Sequence, residues 1–310
     1  MQIDLTANLD GLTVLGAEER DQIRVPEVSF KLGEFTVEPR REDAARWLGL
    51  PNDYVAKAQI KFPDPRVLNP PEVYELVDAL ITCFRLFKVG YVTAYPVIAV
   101  SRPSEPFDSR PFQFSFGSTA RQPQGGMAYL LKEDEIPDLV EFGQRVFPLI
   151  STKPHVSLTT PSFRFYNRGV DDMARSDYPL AIVDFVSCME ALVSPSTTEL
   201  RHRLAELAAL ITERNPEKRK DVYLKCKDLY DKRSLVVHGE SLEDAVRYVN
   251  DAQEFAAKML RFSLGYFSRG LSKKDILADA DDLIYGVKRD FPDFALGLIQ
   301  KRATFRTKAM

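Results

Sequence analysis

The sequence predicts an α+β protein in which a mixed α/β region at the N-terminus is followed by an all-α helical bundle, and three observations predict it. Short β-prone pieces punctuated by proline and aspartate fill the first part of the chain. Beyond Glu135, apolar residues recur at three- and four-residue spacing almost without a break. Four such stripes follow one another through short loops, a pattern whose common solution is a bundle. With 310 residues and 45% hydrophobic content, the chain can bury one large core or two ordinary ones.

Taken in order, Val28 to Leu32, Phe35 to Val37 and Ala58 to Phe62 read as strands, with a small helix around Arg41 to Leu48. The first long helix runs from Pro71 to about Lys88. Val73, Leu76, Leu80, Cys83 and Leu86 or Phe87 recur there at helical spacing, and Gly90 stops it. Tyr91 to Val100 is β-prone, and Phe112 to Phe116 alternates as a half-buried strand does. Gly125-Gly126 then separates it from Met127 to Leu131, read as its partner strand.

The helical part opens with Pro137 to Ile150, a linker from Ser151 to Thr160, and a helix that starts at Pro161 and ends before Pro179. Leu180 to Val193 is apolar all round apart from Asp184 and Glu190, which suits the middle of a bundle. After the loop Ser194 to Thr198, Leu200, Leu204, Leu207, Ala208 and Ile211 form the next stripe. Asn215-Pro216 ends that helix and opens another, with Val222, Cys226, Leu229 and Arg233 on one face. The following helix carries Leu242, Ala245, Val246, Val249, Ala252, Ala256, Met259 and Leu260, with Ser241 read as its N-cap and Asp244 as the capping partner. From Ser272, Ile276, Leu283, Ile284 and Val287 predict an outer helix, and the segment Lys301 to Met310 is a basic tail. The divisions are therefore 1–135, a mixed α/β region; 136–177, a helical connector; 178–268, the helical domain; and 269–310, a helical extension and tail.

A formal net charge of -3 argues against a general, sequence-independent nucleic-acid coat; any contact with phosphate needs a local basic patch. Cys83, Cys188 and Cys226 lie far apart in apolar helical patterns and read as reduced core thiols. No Cys/His cluster has zinc-site spacing, although carboxylates could still hold a hard ion, and no metal or cofactor is expected. The absence of a basic leader and of a run of about twenty apolar residues predicts a cytoplasmic protein without a membrane partner.

The chemically pointed feature is Arg233-Ser-Leu-Val-Val-His238-Gly239. Arg233 shares the apolar side of its helix and cannot be cheaply buried as an unpaired cation. His238 follows five residues later, roughly 140° round an unbroken helix. The two side chains approach only if the helix ends or distorts between them, or if each meets its counterpart across a dimer axis. Gly239 fits a helix end in the left-handed conformation, which holds His238 at a corner. An imidazole can take the proton of a ribose 2′-hydroxyl near neutral pH, and a guanidinium can stabilise the charge that forms on the phosphoryl oxygens. DNA lacks that hydroxyl, so such chemistry selects RNA.

Asp184-Phe-Val-Ser-Cys-Met-Glu190-Ala-Leu192, then Leu200 to Ile211, then Leu229-Tyr230-Asp-Lys-Arg233-Ser234-Leu-Val-Val-His238-Gly239 together resemble the Apea-like branch of the HEPN superfamily. The resemblance covers about 90 residues, and Leu86-Phe87-Lys88-Val89-Gly90 is similar to a piece found upstream in related full-length proteins. It implies an all-α HEPN-like helical bundle over 178–268 and a metal-independent endoribonuclease of a kind used in anti-phage defence or toxin-like systems. The Arg-x4-6-His pair of that superfamily maps onto Arg233 and His238. The resemblance further implies RNA as substrate and a homodimer that brings two Arg/His pairs to one cleft. Ser234 stands where the wider superfamily often has Asn, Asp or His, and matches the Apea-like branch.

Ser234 can add a hydrogen bond to the phosphate. Glu190, costly in an apolar helix, either orients Arg233 or His238 or pairs with Lys225 or Arg203. Tyr230 either lines the cleft or is an interior tyrosine with its hydroxyl at the edge. Phe163-Arg164-Phe165-Tyr166-Asn167-Arg168 offers Arg164 and Arg168 to single-stranded RNA, or is an ordinary amphipathic helix start packed on the bundle. Lys232 is a further candidate for the RNA backbone. His202 is expected in solvent and His155 in the linker. Two readings follow: an RNA-cleaving homodimer, or a non-catalytic module that binds nucleotide or protein in the same cleft. In the first, the N-terminal region is a candidate sensor that takes a ligand or protein trigger and restrains the nuclease.

Overall fold

In the computed structural model, which describes residues 2–10, 12–15, 29–39, 54–61, 70–102, 113–116, 129–152, 161–193 and 199–296, the chain divides into two units, a mixed β/α region followed by an all-α one. The first comprises Met1–Arg85 and Gly90–Ser151; the second comprises Leu86–Val89 and Thr152–Met310.

The first unit contains strands β1 (Gln2–Asp10), β2 (Leu12–Leu15), β3 (Phe30–Leu32), β4 (Phe35–Pro39), β5 (Tyr54–Lys61), β6 (Thr93–Arg102), β7 (Gln113–Phe116) and β8 (Tyr129–Lys132), and helices α1 (Pro70–Phe87) and α2 (Ile136–Thr152). Six strands form an antiparallel sheet in the order β3-β4-β5-β1-β6-β7. Alternation explains the register of the β3–β4 hairpin: Phe30, Leu32, Phe35 and Val37 are buried, while Lys31 and Glu34 face solvent. Phe84 of α1 meets the Phe30 and Tyr129 rings edge-on, at 6.4 and 5.7 Å between centroids. The Tyr129 hydroxyl donates to the Phe84 carbonyl at 2.8 Å, which ties β8 to α1.

Two expectations for this unit need correction. Among the described residues, the strand after Gly125-Gly126 does not pair with β7: β8 pairs in parallel with β2. Alternation states which face of a strand is buried, not which neighbour it takes. The central strand β1 was not anticipated, because Asp4, Thr6, Asn8 and Asp10 dilute its apolar pattern. The helix expected around Arg41 to Leu48 lies outside the described residues, as do the loop Ser194 to Thr198, most of the linker after Thr152, and the basic tail.

The second unit is built from α3 (Pro161–Ala174), α4 (Tyr178–Val193), α5 (Leu200–Thr212), α6 (Pro216–Val237), α7 (Ala245–Ser268), α8 (Lys273–Ile284) and the short α9 (Asp293–Leu296). As its all-round apolar sequence predicts, α4 lies at the centre, packed on α3, α5, α6, α7 and α8. α7 is the other main core element, and at Gly265 it lies so close to α9 that a Cβ would sit 2.7 Å from the Ala295 Cα. α6 is different: of its 22 residues only Cys226 and Leu229 are buried.

Two helix-end expectations also change. α7 begins at Ala245 with Asp244 as N-cap and no side-chain capping bond, so Ser241 is not the cap and Leu242 precedes the helix. In the extension, Ile276 is buried, but Ile284 and Val287 are 42% and 73% exposed, so only one end of the expected stripe is packed.

Candidate functional site

The start and finish of α6 follow from local chemistry. The Asn215 side chain accepts the Glu217 backbone N–H at 3.0 Å, and Pro216, which has no N–H to leave unpaired, opens the helix. At the far end, Leu235 O accepts the Glu240 N–H at 2.9 Å and Val236 O accepts the Gly239 N–H at 3.0 Å, the paired bonds of a Schellman turn. Gly239 has φ +84°, and a Cβ there would meet nothing within 4 Å. Backbone handedness, not space, therefore calls for glycine.

This turn makes His238 the C-cap, with φ -85° and ψ 5°, and leaves it exposed at a corner. The helix runs unbroken from Arg233 to Val237, so the histidine leaves α6 roughly 140° round the axis from the arginine. Ser234, half-buried, accepts the His238 backbone N–H through its carbonyl at 3.1 Å.

Arg233 meets Glu190 of α4, with Nη2 and Oε2 3.4 Å apart and side chains 26% and 15% exposed. Of the partners open to Glu190, the structure selects this one; Lys225 pairs with Asp251 at 3.4 Å, and Arg203 is exposed. The contact is incomplete, for Glu190 Oε1 and Arg233 Nε are buried without a hydrogen-bond partner among the described residues. Burial pushes the Glu190 carboxyl above its ordinary range, and the guanidinium only partly opposes the shift. Tyr230, half-buried one turn back, presents its ring 5.9 Å from the Arg233 guanidinium carbon.

Glu190, Tyr230 and Arg233 thus come together, and His238 and Ser234 follow on the same helix end. The remaining candidates are engaged elsewhere or apart. Lys232 lies 3.7 Å from Asp228 and 5.0 Å from the Tyr248 ring centroid. On α3, Phe163 and Tyr166 are buried, as the packed-helix alternative expects, and Arg164 is exposed. Arg168 grips both carboxylate oxygens of Asp184 and lies 5.2 Å from the Phe165 ring. Beside that pair, burial and the Asp184 charge push Asp172 up to about 6. Sequence reasoning missed Asp172; its four-residue spacing from Arg168 was the available signal. His202 is exposed, with its Nδ1 2.8 Å from the Tyr223 hydroxyl, and His155 lies outside the described residues. All three cysteines are buried and unpaired by disulfides.

Among the described residues there is no group of three or more His, Cys, Asp or Glu placed to hold a metal ion. No described helix is long and apolar enough to cross a membrane. Comparison of the chain with protein families, with curated proteins and with solved structures gave no match.

Proposed function

We propose that the helical unit is an Apea-like HEPN domain and that the protein is a metal-independent, cytoplasmic endoribonuclease acting as a homodimer. The observation that carries this reading is the Arg233-to-Gly239 element at the thinly covered end of α6, with the histidine exposed on a corner and the arginine held from one side by Glu190. In the reaction, His238 removes the proton of a ribose 2′-hydroxyl, and the 2′-oxygen forms a bond to the adjacent phosphorus. Arg233 stabilises the charge on the phosphoryl oxygens as five-coordination develops. The bond from phosphorus to the 5′-oxygen breaks, and that oxygen is protonated. The products are a 2′,3′-cyclic phosphate and a 5′-hydroxyl.

The homodimer has its own support. The unbroken helix from Arg233 to Val237 sets Arg233 and His238 on different sides of α6, and a twofold partner would gather one of each around one phosphate. Leu224 and Val237 of α6 and Val246 of α7 are 51%, 52% and 54% exposed, apolar side chains that a partner subunit would cover.

The test is incubation of the full-length protein with a mixed RNA pool in EDTA. Fragments ending in cyclic phosphate, absent for both folded R233A and folded H238A, support the enzyme. Intact RNA with the wild-type protein overturns it in favour of the non-catalytic module. Sedimentation should show a dimer that V237D weakens.

A further inference from the structure

α8 begins on a lysine, which is electrostatically the wrong end of that helix for a cation. Other groups secure this start: the Asp275 carboxylate accepts the Ser272 backbone N–H at 2.7 Å and the Ser272 hydroxyl at 2.8 Å, and Ile276 is buried. The Lys273 ammonium reaches instead to α4, where it donates to the Ala191 carbonyl at 2.7 Å. Ala191 belongs to the last four residues of α4, whose carbonyls lack partners within the helix. A cation is favourable at that end. Burial lowers the lysine's pKa, so the ammonium occupies this place against a desolvation cost.

The residue before Ala191 is Glu190, which sits in the same final turn. Fraying of that turn would move the carboxylate away from an arginine it contacts at 3.4 Å through one atom pair. We propose that Lys273 is a positioning residue for the site: by fastening the last turn of α4 it holds Glu190, and through it Arg233, and so makes the C-terminal extension part of the active-site framework. The catalytic consequence rests on the ribonuclease reading; the effect on Arg233 does not.

The experiment compares full-length wild type, K273M and K273R, with hydrogen exchange at the Arg233 Nε–H followed by nitrogen-resolved NMR and assigned through R233K. That N–H is buried in the wild type. It should exchange about tenfold faster in K273M and at the wild-type rate in K273R. In the RNA assay, K273M should lower kcat about tenfold with KM changed less than about twofold, and K273R should restore it. If K273M does not fold, K273Q takes its place in the same comparison. A stability loss with Arg233 exchange unchanged overturns the proposal, because it makes Lys273 a structural cap only. If the wild type cuts no RNA, the ribonuclease reading fails, and the exchange comparison still decides the role of Lys273.

Discussion

Six residues apart on α4, Asp184 and Glu190 each face an arginine. Arg168 takes both oxygens of Asp184 with two nitrogens, and the Asp184 side chain is only 3% exposed. Arg233 touches Glu190 through one atom pair at 3.4 Å and leaves a buried nitrogen and a buried oxygen without partners among the described residues. A closed bidentate pair has satisfied its charges and ties α3 to α4. An open pair leaves the guanidinium, 26% exposed, less committed to its carboxylate, as the proposed contact with a phosphate oxygen requires. On the ribonuclease reading, one helix carries a fastening and a working contact, and substitutions should separate them.

The largest expected effect falls on the open pair. R233A should lower RNA cleavage by about a thousandfold, the scale seen when a group that stabilises transition-state charge is removed, with a small change in unfolding free energy. R168A should do the reverse. It leaves Asp184 buried without its cation and should destabilise the fold by about 2 kcal/mol, less than for a fully enclosed pair because Arg168 is 60% exposed. Denaturant unfolding and initial cleavage rates of the two variants give the crossed comparison. If R168A costs cleavage without stability, the division between the pairs is wrong.

Asp172, beside the closed pair, should carry a pH dependence of its own. Asp172, only 7% exposed, faces Asp184, Arg175 and Asp177, and its carboxyl is raised to about 6. A raised carboxyl binds its proton more tightly in the folded than in the unfolded state. Its contribution is therefore full below the unfolded aspartate pKa and is lost as pH rises through about 6. That loss is about 3 kcal/mol by linkage. D172N keeps a donor toward Asp184 and removes the titration. It should match the wild type near pH 4 and exceed it in stability at pH 7.5 by up to that amount. Parallel unfolding curves at both pH values would show the divergence; equal stabilities throughout would detach Asp172 from the pair.

The helices were legible because their stripes are local. The expected Pro71 to Lys88 is α1, Leu180 to Val193 is nearly all of α4, and Asn215-Pro216 marks the start of α6. What β2 pairs with is settled by a partner more than a hundred residues away, Leu12–Leu15 with Tyr129–Lys132, and no short-range pattern encodes it. The site divides in the same way. The His238 corner could be read from Gly239, whereas the partner of Glu190 was one of several cations until packing chose Arg233. Arg168, offered to RNA by its basic and aromatic surroundings, meets Asp184 because α3 folds back on α4 through Arg175-Ser176-Asp177. Charge runs record composition; the fold assigns the partners.

The smallest effect sharpens the comparison most, because the same isosteric change can be made in both pairs. D184N removes a charge whose two oxygens are both engaged, and it should cost stability as R168A does. E190Q removes a charge that burial already disfavours, as the raised carboxyl pKa indicates. The amide can still accept from Arg233 through its oxygen, so the change in unfolding free energy should stay within about 1 kcal/mol. Catalysis should feel it more: a guanidinium held by a neutral oxygen is less well oriented, and kcat should fall about tenfold with KM little altered. Unfolding free energies and kcat for D184N and E190Q measured side by side then give opposite rankings. Equal stability losses would make Glu190 a second fastening, and the proposed role of the Arg233 contact would lose its support.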